Sequence, residues 1–301
     1  MNISGASLIG PKVFRARLSS AGRGLAESLI IILRNRLASL GLFFVLIVSL
    51  VSLLAPLIAT HNPFEMNLAH RLMGPSSEHW LGTDIYGRDI LTRIVLGTVI
   101  AMRVAVGAVL LAVVIGVPLG AAAGYRGGWV DELIMRFIDA LLAFPGRLLA
   151  IALVAALGAS FLTLYLAIGI TAVPAYARMV RAGVLAQKEK EYVEAARMTG
   201  ESEFRILVFQ ILPNCIAPML VLVTLDFAHA ILVESSLSFL GLGFPPPTPS
   251  WGLMLNEAKG YMELAPHAAI FPGAAISLTI LGFNLLGDGL RDVFDPRQYE
   301  R

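Results

Sequence analysis

The chain has 301 residues, 57% of them apolar and only 15% charged, where a soluble domain carries about 25% charged residues. Mean hydropathy is +0.76. There is too little polar surface to cover a water-facing globule, so soluble, disordered, collagen-like and disulfide-scaffold classes are excluded. The 23 Lys and Arg against 21 Asp and Glu leave a net charge of +2; with no clustered basic face, this excludes a nucleic-acid partner. Long unbroken apolar runs, unlike the short alternating strands of a barrel, make this an all-α integral membrane protein in a lipid bilayer. The single Cys215 can form neither an intrachain disulfide nor, by itself, a zinc site, and reads as a small packing residue.

Segment 1–37 is polar and basic, with Glu27 its only acid. The apolar run 39–59 follows a basic region too long for a cleavable signal and is itself too long for a signal core. About 20 residues at 1.5 Å each cross a bilayer core of about 30 Å, so this is the first transmembrane helix. Segment 60–97 is polar and rich in turn and cap residues, among them Asn62-Pro63, Pro75-Ser76-Ser77 and Gly82-Thr83-Asp84. Further spans are predicted at 99–124, 138–158, 161–182, 215–240 and 269–288, giving six transmembrane helices. With both termini cytoplasmic, the inside segments collect 17 of the 23 Lys and Arg and the outside segments 4, with Arg103 and Arg147 inside spans; this split sets the orientation. Small residues such as Gly107, Ala112, Gly116 and Gly120 allow close helix packing.

The segment between spans four and five, 183–214, is too long for a simple connector. Residues 188–198 are good helix formers, Gly200 stands where a left-handed C-cap belongs, and 201–209 begins a second short helix before Pro213. The expected shape is a helix-turn-helix knob on the cytoplasmic face, either presented to a partner or simply solvated.

Glu194-Ala195-Ala196, Gly200 and Leu212-Pro213 resemble the EAA loop of binding-protein-dependent ABC importer permeases. Six further blocks, including Leu81-Gly82-Thr83-Asp84 with Gly87-Arg88-Asp89, Ala143-Phe144-Pro145 and Pro249-Ser250-Trp251-Gly252, are similar to the C-type permease of dipeptide, oligopeptide and nickel importers. The resemblance covers about 35–298. It implies a five-helix permease core with a cytoplasmic coupling helix. The chain then divides into a basic cytoplasmic segment 1–37, a first helix and external loop 38–97, a core 98–290 containing the coupling loop 183–214, and a cytoplasmic tail 291–301.

The resemblance also implies partners: a second homologous permease, two cytoplasmic ATPase subunits that hold ATP and Mg, and an extracytoplasmic solute-binding protein. The chain has no phosphate-cradling G-x-x-x-x-G-K-[ST] pattern, so it is expected to be no enzyme and to carry no cofactor. The implied location is the cell inner membrane and the implied solute a peptide. Glu194 supplies a charged docking contact, Gly200 a tight turn, and Ala195 and Ala196 a close approach to the ATPase. Outer loops 60–97 and 241–268 are surfaces for the binding protein. Gln210 departs from the family's usual His or aliphatic residue.

Arg147 either lines the solute path or snorkels to the inner boundary. Asp226, His229 and Glu234 share roughly one face of span five, as path residues, partner contacts or satisfied buried groups. Arg136 and Asp139 are spaced to pair. The five histidines, His61, His70, His79, His229 and His267, show no metal-ligand spacing, and each reads as solvated or capping, so no metal is expected. A rival reading is an ion-coupled secondary transporter using Asp226 and Glu234, although no repeat accompanies them. An intramembrane enzyme would need a catalytic constellation such as H-E-x-x-H, which is absent.

Overall fold

The computed structural model describes Leu33 and residues 35–294; most of the basic segment 1–37 and the end of the tail 291–301 lie outside the described residues. The chain forms α1 (Arg36–Ile58), α2 (Ile90–Arg126), α3 (Gly128–Leu142), α4 (Gly146–Leu157), α5 (Phe161–Lys188), α6 (Glu191–Met198), α7 (Glu203–Ile206), α8 (Ile216–Phe239), α9 (Trp251–Ala258) and α10 (His267–Phe294). Among the described residues, five helices are long and apolar enough to cross a membrane: α1, α2, α5, the rod from Glu203 to Phe239, and α10.

The span expected at 138–158 falls on a bent pair of helices. Residues α3 and α4 meet at an 81° bend. Pro145 has no N–H to continue α3, and its ring forces Phe144 away from helical geometry. Pro145 instead becomes the N-cap of α4. At 12 residues, α4 is about 18 Å long and cannot cross a core of about 30 Å alone. The sixth crossing exists only if the bent pair counts as one.

The short second helix expected at 201–209 is also different. α7 continues through a wide π turn, Leu207–Ile211, and a tight turn, Leu212–Cys215, into α8. Pro213 would drive its ring into the carbonyl four residues back in a regular helix. Widening the preceding turn by one residue avoids that clash.

The bundle is organised around α2, which at 37 residues is about 55 Å long. It packs parallel to α5 along most of its length, with Gly107, Gly116 and Gly124 meeting Tyr165, Tyr176 and Val184 in turn. A Cβ added at Gly116 would lie 2.7 Å from Tyr176 Cβ, and one added at Gly120 would fall on the Ala177 carbonyl. The two backbones therefore touch, as small residues at four-residue spacing permit. The central core gathers Val104 and Ala108 of α2, Val154 of α4, Ile168 of α5, Ile231 of α8 and Trp251 of α9. α1 lies along α10, buries only Ala38, Gly41 and Ala55, and turns its large apolar side chains outward. Such a surface suits lipid, which is as apolar as leucine.

Gly120→Val pushes α2 off α5 and is expected to cost about 1–3 kcal/mol, lowering the apparent melting temperature by roughly 2–4 °C per kcal/mol. Gly260→Ala, which meets open space, should leave it unchanged within error. Thermal unfolding of both variants in one detergent at one scan rate decides the matter.

Candidate functional site

At one end of the bundle, α6 stands out as a knob. α5 ends at Lys188 and α6 starts only at Glu191, so the helix is three residues shorter than the sequence suggests. Gly200 has φ +82°, a conformation glycine adopts without strain. The Gly200 N–H donates to the Arg197 carbonyl at 3.0 Å and the Glu201 N–H to the Ala196 carbonyl at 3.2 Å. That pair of bonds is a Schellman closure. Val193 and Ala196 face inward and pack with Ala121, Val180, Val184, Ile206, Ile211 and Cys215. Cys215 is thus a buried packing residue.

Glu194 and Ala195 are exposed, whereas Ala196 is buried against the chain's own bundle. The expectation that both alanines approach a partner is therefore corrected: one residue is a rotation of about 100° on a helix. Glu194 lines a surface hollow of about 380 Å³ with Lys188, Lys190, Arg197 and Met198. Met198, which sequence reasoning passed over, is the most exposed large apolar residue here, at 84%. Polar ties hold the knob. Gln210 Nε2 donates to Glu201 Oε2 at 2.7 Å, Lys188 Nζ to the Tyr125 carbonyl at 3.3 Å, and the Tyr125 hydroxyl to Glu203. Gln210 thereby acquires a local role. Leu212 is half-buried against the cluster and Pro213 is exposed.

The four intramembrane candidates do not form one site. Glu234 is fully buried and accepts from Ser238 Oγ at 2.8 Å and Ser235 Oγ at 3.4 Å. His229 is exposed. Five residues separate these two, which places them about 140° apart on a helix, so the shared face is corrected. Asp226 is half-buried opposite Tyr176 of α5; its Oδ2 and the Tyr176 hydroxyl are buried without a well-aligned hydrogen bond. Arg147 is exposed in the first turn of α4, beside the bend. Arg136 and Asp139 do not pair with each other: Arg136 bonds Glu132, and Asp139 accepts from Arg178 at 2.6 Å. A cavity of about 1,040 Å³ opens elsewhere, among α1, α2 and α5, lined by Ser49, Arg103, Phe161, Tyr165 and Thr248. None of the four candidates lines it, and Arg103 is its charged residue.

The opposite end of α2 is held by buried charge. Asp84 closes a tight turn by accepting from the N–H groups of Tyr86 and Arg88 at 2.8 and 3.0 Å. Arg88 Nε donates to Asp84 at 2.6 Å and its Nη2 to Glu257 of α9 at 2.6 Å. Arg93, wholly buried, lies 3.6 Å from Asp84 and 3.5 Å from Glu257. Burial pushes the Glu257 carboxyl above its ordinary value, against the opposing pull of Arg88 and Arg93. Asp89 caps α2 through the Thr92 N–H at 2.8 Å. The expected outer surface 241–268 is only partly a surface: α9 buries Trp251, whose Nε1 donates to the Ile94 carbonyl at 3.0 Å. Nearby, His61, His79 and Asp89 converge, as do His70, Glu78 and His79. The loop fold brings together histidines whose sequence spacing suggested nothing.

Residues 116–299 match the family of binding-protein-dependent transport system inner membrane components, and residues 25–75 match the N-terminal transmembrane domain of oligopeptide transport permease C. The chain belongs to this permease family. It is 46% identical over 264 residues to the dipeptide transport system permease protein DppC of Alkalihalophilus pseudofirmus, covering 88% of this chain and 87% of that one. It is 50% identical over 224 residues to the glutathione transport system permease protein GsiD of Pectobacterium atrosepticum, 74% of each chain. The Escherichia coli O157:H7 GsiD is 46% identical over 267 residues, 88% of each.

Membership makes this a multi-pass permease subunit of an ABC importer, with ATP hydrolysis in separate subunits and a binding protein as solute donor. It removes the secondary-transporter reading of Asp226 and Glu234. The Leu81–Asp89 block that carried part of the resemblance is explained as the turn and cap that seat α2 in the permease. Arg88→Met leaves Asp84 and Glu257 short of a buried partner and is expected to cost about 3–5 kcal/mol. The check is the permease's apparent melting temperature and its yield in membranes; an unchanged melting temperature would mean that the charge box contributes nothing.

Proposed function

We propose that this permease forms half of a translocation pathway for short peptides, paired with a second homologous permease, two cytoplasmic ATPase subunits that hold ATP and Mg, and an extracytoplasmic binding protein. The peptide reading is supported by relatives named for dipeptide and glutathione transport. Both termini and α6 lie on the cytoplasmic side of the inner membrane, as the bias of Lys and Arg toward that side favours.

The observation that carries the coupling role is the build of α6. It is short, closed by a Schellman turn, packed inward through Val193 and Ala196, and leaves Glu194, Ala195 and Met198 outward. An ATPase groove closing on that face would push α6, and the shared cluster with α2 and α5 would pass the motion into the bundle. Glu194 is the charged docking contact and Gly200 fixes the angle of the knob. Leu212 and Pro213 set where the chain turns into the rod. The exposed Arg147 and His229 and the half-buried Asp226 are then, each separately, residues of the path or of the second permease's contact face. Glu234, bonded within its own helix, is structural.

Glu194→Lys is expected to abolish co-purification of ATPase activity from native membranes with a C-terminally tagged chain, and with it ATP-dependent uptake of a labelled dipeptide. Its melting temperature should stay near that of wild type, because the side chain is exposed. Undiminished ATPase co-elution with this variant would remove Glu194 from the docking surface.

A further inference from the structure

The loop between α1 and α2 gathers three of the chain's five histidines at the end of the bundle away from α6. One ligand atom from each of His70, Glu78 and His79 lies within 4.8 Å of the other two. The same holds for His61, His79 and Asp89. The rings of His70 and His79 meet edge to face at 5.8 Å, and those of His61 and His79 lie 4.9 Å apart.

The two groups differ in how far their ligand atoms are already engaged. Asp89 is committed: Oδ2 caps α2 through Thr92, and Oδ1 bonds His79 Nδ1 at 3.0 Å. His61 Nδ1 is 2.9 Å from the Thr60 hydroxyl. An ion between them would break the cap of α2. By contrast, the side chains of His70 and Glu78 make no hydrogen bond or ion pair among the described residues. The His79–Asp89 bond also has a meaning for the other group. An imidazole that donates from Nδ1 to a carboxylate carries its lone pair on Nε2, which is the carboxylate–histidine–metal arrangement of second-shell support.

The backbone around these side chains is tied down. His79 exchanges bonds with Ser76 at 2.8 and 3.0 Å. The turn Leu68–His70 is capped by Asn67, and the His70 carbonyl accepts from the Thr83 hydroxyl. His79 is buried, His70 half-buried and Glu78 exposed. The pocket thus has a fixed inner wall and an adjustable outer ligand.

We propose that His70, Glu78 and His79 bind a divalent transition-metal ion of the zinc type, with Asp89 orienting His79 and water completing the shell. Two imidazoles and a carboxylate with an open fourth position form a recognised zinc donor set. Bonds of about 2.0–2.2 Å would draw the ligand atoms to roughly 3.3 Å apart, which exposed Glu78 can follow by changing rotamer. The bound ion would staple residues 67–79 of the loop to the cap of α2.

The test is zinc binding by the full-length chain purified in detergent, with its tag removed, in competition with a chromophoric zinc chelator. Wild type should bind one ion per chain, and zinc should raise its melting temperature. His70→Ala and Glu78→Gln should each weaken binding at least tenfold and lose that rise, with their zinc-free melting temperatures unchanged. His61→Ala should bind within about twofold of wild type. Wild-type binding no stronger than that of a His70→Ala, Glu78→Gln double variant would overturn the site. Loss of binding in His61→Ala with retention in His70→Ala would overturn the ligand assignment. Co2+ substituted for zinc should give the visible absorption of a four-coordinate site in wild type and lose it in both ligand variants.

Discussion

The backbone contact between α2 and α5 is the constraint on which the rest of the permease depends. Gly116 and Gly120 leave no room for a side chain between the two helices, so the pair behaves as one stiff rod over the roughly 42 Å that the 28 residues of α5 span. Everything of functional interest hangs from its two ends. In lipid there is no hydrophobic force between helices, and close packing of small residues has to supply the cohesion. A bundle joined in this way transmits displacement, because a packed interface yields in steps and does not deform smoothly.

The ends are built from different physics. At the α6 end, Val193, Ala196, Val184 and Ile206 make an apolar cluster that fixes a polar knob to the rod. At the other end, Arg88 and Arg93 meet Asp84 and Glu257 in a largely buried cluster. Each of those charges is tolerable only because its partners are present. The arrangement ties the start of α2 to α9, which is 164 residues further along the chain when counted from Arg93 to Glu257. It also seats Trp251 in the core. An outer loop that reads as polar surface is therefore largely an internal strut.

Some of this was legible in residue order. Apolar runs gave the spans, since a helix that must satisfy its backbone in lipid needs about 20 apolar residues whatever its neighbours are. Gly200 announced its turn because a left-handed C-cap is a local matter of one residue and its two flanking bonds. Glu194-Ala195-Ala196 was recognisable as a motif, but the division of labour between Ala195 outside and Ala196 inside needed the bundle against which α6 rests.

What the residue order alone determined about this protein is its class: a membrane-spanning α-helical protein with a polar knob between two spans. These features depend on composition and on neighbours within a few residues. Tertiary structure decided the rest. It bent α3 against α4 at Phe144-Pro145, separated Glu234 from His229, put Arg103 in the large cavity, and gave Arg136 and Asp139 partners other than each other. It also brought His61, His70 and His79 together. Each of these outcomes depends on where a distant element lies, and side-chain spacing along one helix or loop carries no information about that distance.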